Sequence, residues 1–149
     1  MRPRSMLGGD LHWIWKPYEI YQEVDYIYGV KALTEGDGFP NAQSFMNIVE
    51  TALNLAYLYS AHVTSWAPAP VIGFGAAVMT LSKTMLYGLQ EYYCNGCSTG
   101  HNSFNDMIVY YYIPNGLWIV VPTLIVLRLG KDIAASLKIA DKATSGKIQ

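Results

Sequence analysis

The stretch YYYIPNGLWIVVP, from Tyr110 to Pro122, lies in a long apolar run with no charged residue between Asp106 and Arg128. About 20 predominantly apolar residues are enough for a helix to cross a bilayer. Within this run an amide, Asn115, follows a proline and precedes a tryptophan. We therefore expect a membrane-spanning helix that carries a polar side chain near its centre, and a polar group at that depth needs a partner or a function.

Two earlier segments have the same character, so the sequence predicts three spans. They run from about Asn41 to Trp66, from about Val71 to Tyr92 and from about Met107 to Leu129. APAP is expected to turn the chain between the first two, because proline breaks helices. The competing interpretation is a soluble helical bundle, but three long apolar segments leave too little amphipathic sequence to cover them. The prediction is an all-α membrane protein.

Composition and charge exclude several classes of function. Only 14% of the residues are charged, against about 25% in soluble domains. The net charge is −1 and there is no basic stripe, so nucleic acid is not an expected partner. The single pair Cys94 and Cys97, in CNGC, favours a loop with two thiols over a zinc site with His101 as third ligand, and the two thiols would form a local disulfide if the loop faces an oxidising lumen. We expect no metal and no cofactor.

The predicted organisation has three parts: a lumenal or interfacial lead-in over residues 1–40, a three-helix membrane region over 41–133 and a basic tail over 134–149. The tail is expected to be cytosolic, because basic residues outnumber acids there. WIWKPYEIYQEVDYIY, in the lead-in, reads either as a short helix lying on the membrane with its rings inward or as an ordinary loop. Aromatic residues at an interface are typical of such a layer.

Each predicted span carries one polar seam at helical spacing. Lipid cannot bond these groups, so the seams are expected to face each other or a watered cavity. Asparagines alone would serve merely to bond helix to helix, whereas a carboxylate at membrane depth is a functional candidate. The seams are Gln43, Asn47, Glu50 and Asn54; Thr80, Thr84, Tyr87 and Glu91, with Lys83 beside them; and Tyr111, Asn115, Trp118 and Pro122.

The pairing of Glu50 with Trp118 points to a class of chemistry. Desolvation disfavours the charged form of a carboxyl group, so a membrane-embedded Glu50 would donate a proton to an apolar substrate and take one back. The indole of Trp118 offers a ring face that stabilises a cation. Such a pair suits alkene chemistry through a carbocation, and it equally suits the binding of a lipophilic amine.

Several tracts resemble one known family. NGLWIVVP, from Asn115, resembles the N-x-L-W-x-V-x-P signature in the last helix of the emopamil-binding protein family, also called the EXPERA domain. Weaker tracts agree in order: WKPY and YQEVDYIY with the family's W-K-x-Y and Y-x-x-x-D-x-x-Y, VETALNL with M-E-x-x-T, and LYGLQE with L-Y-x-L-x-E. The insert YGVKALTEGDGFPNAQ resembles that of fungal members. The likeness covers about Trp15 to Ile133.

The resemblance implies a function and a site. Well-known members are sterol isomerases of the endoplasmic reticulum membrane, which shift a ring double bond by protonation and deprotonation. It implies Glu50 as the central acid/base, Trp118 as the carbocation-stabilising indole and Asn115 as their hydrogen-bonding partner. A sterol or another lipophilic small molecule is the expected ligand, alongside membrane lipid, in a multi-pass protein. The residues expected to line the substrate site are Asn47, Asn54, Thr84, Tyr87 and Tyr111.

The departures from the family keep other interpretations open. The family carries two further helices before W-K-x-Y, one with a histidine and a glutamate that complete proton transfer, and this chain is expected to lack them. Lys83 and Thr84 stand where the family has an aspartate; Lys83 either pairs with Glu50 and holds it ionised or extends towards the interface. The chain would then be a non-catalytic binder of sterols or lipophilic amines, or an isomerase or cyclase of another isoprenoid. Upstream helices or a second copy would close the groove.

Overall fold

A computed structural model describes residues 9–145, except for the side chains of Trp15, Pro17 and Ile20. The interfacial role expected of Trp15 and the contribution of Lys147 to the basic tail lie outside the described residues. Within these limits the chain contains helices and loops only. The helices are α1 (His12–Val24), a 3₁₀ turn (Tyr26–Tyr28), α2 (Val30–Glu35), α3 (Gly38–His62), α4 (Ala69–Tyr93), α5 (Phe104–Asp106), a π-helical segment (Met107–Tyr112) and α6 (Ile113–Ser145).

The helices begin and end at residues whose chemistry favours those positions. The carboxylate of Asp37 accepts a hydrogen bond from Phe39 N at 2.9 Å and so caps the start of α3. Ser103 caps α5 in the same way, accepting from the backbone N–H of Asp106. Gly36 ends α2 with φ of 71°, a left-handed conformation that glycine adopts at little cost.

Two of the helical stretches are long and apolar enough to cross a membrane: Ala69–Tyr93 and the continuous run Phe104–Ser145. In the second, only 6% of the most apolar window is buried within the protein, whereas the core helix of a soluble protein would be mostly covered. The all-helical prediction is confirmed for the described residues, and two of the three predicted spans meet the test. The third, α3, has 25 residues but a composition that does not meet it.

The ends of the helices differ from the ends of the predicted spans. The first predicted segment, 41–66, forms α3 and ends four residues earlier, at His62. The third, 107–129, belongs to a helical run that continues to Ser145. Residues 134–145, which the sequence assigned to a separate tail, therefore extend the last helix. Of the two interpretations of the lead-in, a short helix or a loop, the structure has a helix, α1, followed by the 3₁₀ turn.

The structure divides into two compact units. Within the described residues, one combines 9–43 with Gly88–Asn115, and the other combines Ser44–Tyr87 with 116–145. The first unit holds α1, α2 and the CNGC loop; the second holds most of α3, α4 and α6. The polar seams at Glu50 and Lys83 belong to the second unit, which is therefore the place to look for the predicted site.

Within the second unit α3 and α4 run antiparallel and pack through small residues. Tyr57 lies against Gly73, so closely that a Cβ on the glycine would be 2.8 Å from the ring. Further along, Glu50 bonds to Thr80. From one contact to the next, the residue number on α3 falls by as much as the residue number on α4 rises. This is the register of two antiparallel helices. Ala76 and Ala77, both buried, let the helices approach.

Candidate functional site

The seam between α3 and α4 brings four polar side chains together. Glu50 is 8% exposed, and its Oε2 lies 2.6 Å from Lys83 Nζ. Its other oxygen, Oε1, accepts a hydrogen bond from the hydroxyl of Thr80 at 2.6 Å. Lys83 Nζ also donates to the side-chain carbonyl of Asn47. Glu50 thus sits at the centre of a small polar cluster, hereafter the seam cluster: Asn47, Glu50, Thr80 and Lys83.

The spacing along each helix explains why these residues meet. Asn47 and Glu50 are three residues apart on α3, and Thr80 and Lys83 are three apart on α4, so each pair lies on one helical face. Tyr57 lies seven residues after Glu50 on α3, and Gly73 lies seven residues before Thr80 on α4. Their contact therefore belongs to the same two helical faces. A seven-residue repeat is the period of helices that stay in register over several turns.

The structure decides between the two interpretations of Lys83. Its side chain is 13% exposed, and its ammonium group contacts Glu50 and Asn47. The ion pair with Glu50 is therefore present, in place of a lysine that extends along the helix to the interface. Glu50 Oε2 lacks an aligned hydrogen bond, yet the 2.6 Å contact satisfies it by charge, because an ammonium so close dominates the interaction of a buried carboxylate.

The other predicted site residues have more local roles. Asn54 is exposed one turn beyond Glu50, and the Thr84 hydroxyl donates to the carbonyl of Thr80 in its own helix at 2.9 Å. Tyr87 is buried. Trp118 is 58% exposed on α6. The structure thus brings Glu50 and Asn47 together, adds Thr80 and Lys83 to them, and leaves the Trp118 ring on the outer face of its helix.

Asn115 interacts with the backbone of its own helical run. Its Nδ2 donates to the carbonyl of Tyr111 at 2.8 Å, where the π-helical segment Met107–Tyr112 passes into α6. Pro114, which has no N–H, lies between the two residues and removes one backbone bond from this turn. The Asn115 amide thereby bonds a carbonyl beside an irregularity in the helix. Tyr111 itself is buried.

A second polar cluster lies in the first unit, at the end of α4. Glu91 is buried, and its Oε1 accepts from the backbone N–H of Thr99 at 2.8 Å and from the Thr99 hydroxyl at 2.6 Å. The backbone N–H of Ser98 lies 3.3 Å from both carboxylate oxygens. Helical spacing predicts Glu91 on the polar seam of the second span, whereas its position before a loop rich in Gly, Ser and Thr is the signal for this loop-holding role.

The two cysteines of the CNGC loop, Cys94 and Cys97, form a disulfide, which is one of the two states that the sequence left open. The two sulfurs and the Glu91 carboxylate lie within 4.8 Å of one another, a spacing that could suit a metal ion. The sulfurs, however, are bonded to each other in the disulfide, and the carboxylate accepts hydrogen bonds from the loop. His101, the alternative zinc ligand, stacks on Tyr26 with ring centroids 3.8 Å apart. Its Nε2 contacts the Glu23 carbonyl at 2.7 Å. In the described residues, these groups therefore hold the loop in place through the disulfide and hydrogen bonds.

The loop is tied to the end of α1. Asn102 donates to the Val24 carbonyl at 2.7 Å, and Tyr26 N donates to the Ser98 carbonyl at 3.2 Å. Burial, followed by the neighbouring Tyr21 and Asp25, raises the pKa of Tyr28 well above its ordinary range, so this phenol stays neutral. A shallow recess of about 120 Å³ borders the same loop and is lined by polar and charged groups, among them Lys31 and Asp37.

Comparison with known proteins gives no relative on which to base a function. No family model matches the chain, and neither a curated protein nor a solved structure does. The seam cluster is therefore the feature of the molecule from which a function is inferred.

Proposed function

We propose that this chain is a membrane-embedded protein of the EXPERA type that binds a sterol or a similar lipophilic ring compound and shifts a double bond by proton transfer at Glu50. The observation that carries the proposal is the buried contact of Glu50 with Lys83 and Thr80. A buried acid and base in contact, beside a helix apolar enough to span a bilayer, form a set of groups able to move a proton.

The proposal includes three spans. A helix of 25 residues is about 37 Å long, enough to cross the hydrocarbon core. In the second unit α3 contacts α4 side by side at Tyr57, Glu50 and Asn47. If α4 crosses the bilayer, the part of α3 paired with it lies at the same depth. The polar residues that lower the hydropathy of α3 include Asn47 and Glu50, whose side chains contact Lys83 and Thr80 of α4.

Proton transfer begins from the ion pair. Moving one proton from Lys83 Nζ to Glu50 Oε2 gives a neutral amine and a carboxylic acid, which removes two charges from a medium that disfavours them. The acid then adds its proton to one alkene carbon, and a carbocation forms on the other. Loss of a proton from a neighbouring carbon to the Glu50 carboxylate completes the shift. Return of that proton from Glu50 to Lys83 Nζ restores the ion pair, with no net change in the protein.

Two residues of α6 are assigned to the substrate. The exposed indole of Trp118 is accessible to a ligand approaching from outside the helix, and its face would stabilise the developing cation. Asn115 keeps Nδ2 on the Tyr111 carbonyl, so Oδ1 is the atom that the proposal directs towards the substrate. Asn54, Thr84, Tyr87 and Tyr111 remain predicted as substrate-binding residues.

The proposed location is the endoplasmic reticulum membrane, with the C-terminus cytosolic. The Cys94–Cys97 disulfide supports a lumenal position for the loop after α4, since disulfides persist in oxidising compartments. Arg128, Lys131, Lys138 and Lys142 follow the last apolar run, and basic residues collect on the cytosolic side. A second copy of the chain is the proposed partner that would close the groove.

The test is complementation. The chain is expressed in yeast that lack their own sterol isomerase, and sterols are profiled by mass spectrometry. The proposal expects the shifted double bond with the wild-type chain and its loss in Glu50→Gln. Ser82→Ala, an exposed change on the same stretch of α4, is the matched control and should keep activity. Membrane-inserted wild-type protein that yields no shifted product would exclude the isomerase.

The second candidate is a non-catalytic binder of sterols, and the ion pair favours it. Lys83 Nζ lies 2.6 Å from Glu50 Oε2, and the Thr80 hydroxyl donates to Oε1. An opposite charge and a donor beside a carboxylate favour its ionised form, which has no proton to give. This candidate predicts saturable binding of a radiolabelled sterol by the purified protein, weakened in Trp118→Ala, without any isomerised product. Equal binding by the wild type and Trp118→Ala would contradict the role given to the indole.

A further inference from the structure

The ammonium group of Lys83 is held by groups from both helices of the pair. Glu50 Oε2 lies 2.6 Å away as its ion-pair partner, and the side-chain carbonyl oxygen of Asn47 accepts a hydrogen bond from the same nitrogen. The side chains of Lys83 and Glu50 are only 13% and 11% exposed. A carboxylate and an amide carbonyl that converge on one nitrogen form a site for an ammonium ion, and here the protein fills that site with its own residue.

Thr80 fixes the carboxylate that forms one side of this site. Its hydroxyl carries a single proton and lies 2.6 Å from Glu50 Oε1 and 3.1 Å from the Ala76 carbonyl. We assign the proton to the shorter contact, because a bond to a carboxylate is stronger than one to a neutral carbonyl. Glu50 therefore keeps one oxygen on Thr80 and turns the other towards Lys83.

We propose that Lys83 is a resident cation that determines ligand specificity: its ammonium group occupies the place a cationic ligand would take beside Glu50, so the seam cluster admits uncharged lipophilic ligands and rejects alkylammonium ions. This inference deepens the proposed function and rests on it for the role of Glu50. One carboxylate and one ammonium leave the cluster neutral. A second cation would place an unpaired positive charge in the membrane interior, where such charges are disfavoured.

Shortening Lys83 should open the site to an external cation. Lys83→Ala removes three methylene groups and the ammonium, which together have the size and charge of n-propylammonium. Glu50 is then left buried with Thr80 and Asn47 but without a counter-ion, and a buried charge without its partner destabilises the fold. A cation of the right length restores the pair, and because it binds only the folded protein it raises the melting temperature.

The experiment measures the melting temperature Tm of the detergent-purified protein with and without n-propylammonium chloride. Lys83→Ala should lower Tm by about 5–15 °C, and n-propylammonium should restore most of that loss in a saturable manner. Sodium chloride and tetramethylammonium chloride at equal concentration should not, because neither offers an N–H donor on a propyl chain. The wild type, whose site is occupied by Lys83, should not respond to n-propylammonium.

The matched control is the double variant Glu50→Gln/Lys83→Ala, which lacks the carboxylate and should show no n-propylammonium response. If Lys83→Ala aggregates during purification, it is purified with and without n-propylammonium, and recovery of a single gel-filtration peak becomes the measurement. Three results would overturn the proposal: n-propylammonium stabilises the double variant as much as Lys83→Ala, it stabilises the wild type as much, or it restores neither the Tm nor the gel-filtration peak of Lys83→Ala. If n-propylammonium restores the Tm of Lys83→Ala but the wild type does not convert sterols, only the proposed isomerase activity is contradicted. If the wild type converts sterols but n-propylammonium restores nothing, only the proposed role of Lys83 as resident cation is contradicted.

Discussion

At the scale of single residues, the decisive interaction is the buried pair of Glu50 and Lys83. Both side chains are largely removed from solvent, so neither charge is screened by water. Removing one member leaves the other as an unpaired buried charge, whereas removing both leaves no charge behind. The asymmetry between single and double changes therefore measures how strongly the two residues depend on each other.

A double-mutant cycle tests this dependence. We expect Glu50→Gln and Lys83→Met each to lower the free energy of unfolding by about 3–5 kcal/mol, and the double variant to lose less than the sum. Denaturant titration in detergent is the measurement, with Ser82→Ala as the exposed control. Additive losses would show that the 2.6 Å contact contributes no coupling.

The carboxylate of Glu91 gives a second prediction at this scale. Glu91→Gln keeps the size but replaces one acceptor oxygen by a donor, so the contacts from Ser98 and Thr99 weaken. The expected loss is about 1.5–3 kcal/mol, the range for hydrogen bonds to a charged group. Hydrogen exchange of the Ser98 and Thr99 amides should accelerate. Unchanged protection at both amides would contradict the loop-holding role.

At the scale of elements, the α3–α4 pair depends on a close approach at one glycine. A Cβ on Gly73 would lie 2.8 Å from the ring of Tyr57, whereas a Cβ on Gly75 would meet nothing within 4 Å. The two glycines lie on the same helix, two residues apart, so they share helix propensity but differ in what they face. That difference isolates packing from intrinsic helix formation.

The pair of alanine substitutions makes the third prediction. Gly73→Ala forces the Tyr57 ring to move and should cost about 1–3 kcal/mol. Gly75→Ala, the matched control, should be neutral or stabilise by up to about 1 kcal/mol through helix propensity. Tm values in one detergent provide the comparison. A Gly75→Ala variant less stable than Gly73→Ala would contradict the antiparallel register.

At the scale of the whole molecule, the number of spans determines where the N-terminus lies. Two segments pass the length and composition test, Ala69–Tyr93 and Phe104–Ser145. With two spans both ends of the chain lie on the same side of the membrane; with α3 as a third span they lie on opposite sides. Finding the side of the membrane on which each terminus lies therefore tests whether α3, paired with α4, crosses the bilayer.

Protease protection of epitope tags in sealed microsomes tests the fourth prediction. With three spans, a C-terminal tag should be digested without detergent and an N-terminal tag should be protected. A tag at the CNGC loop, between Asn95 and Gly100, should also be protected, and detergent should make all three accessible. Digestion of both terminal tags in sealed vesicles would show that α3 does not cross.

Much of the fold was accessible from local sequence. The apolar run around Asn115 predicts the last helix because backbone groups in lipid must bond within a helix. The single C-x2-C pair left two thiols and a disulfide open, and the structure contains the disulfide. Helical spacing also placed Asn47 and Glu50 on one face. These properties depend on residues close together in the chain, so no knowledge of the fold was needed to predict them.

The tertiary structure decided which predicted faces meet. Periodicity shows that Glu50 and Lys83 each lie on a polar face, but only the antiparallel register of α3 and α4 brings Nζ to Oε2 and settles Lys83 as an ion-pair partner. The same applies to Glu91, whose partners are seven and eight residues away across a loop, and to Trp118, whose ring lies on the outer face of α6. Contact across elements depends on the relative placement of backbones, which a one-dimensional pattern does not encode.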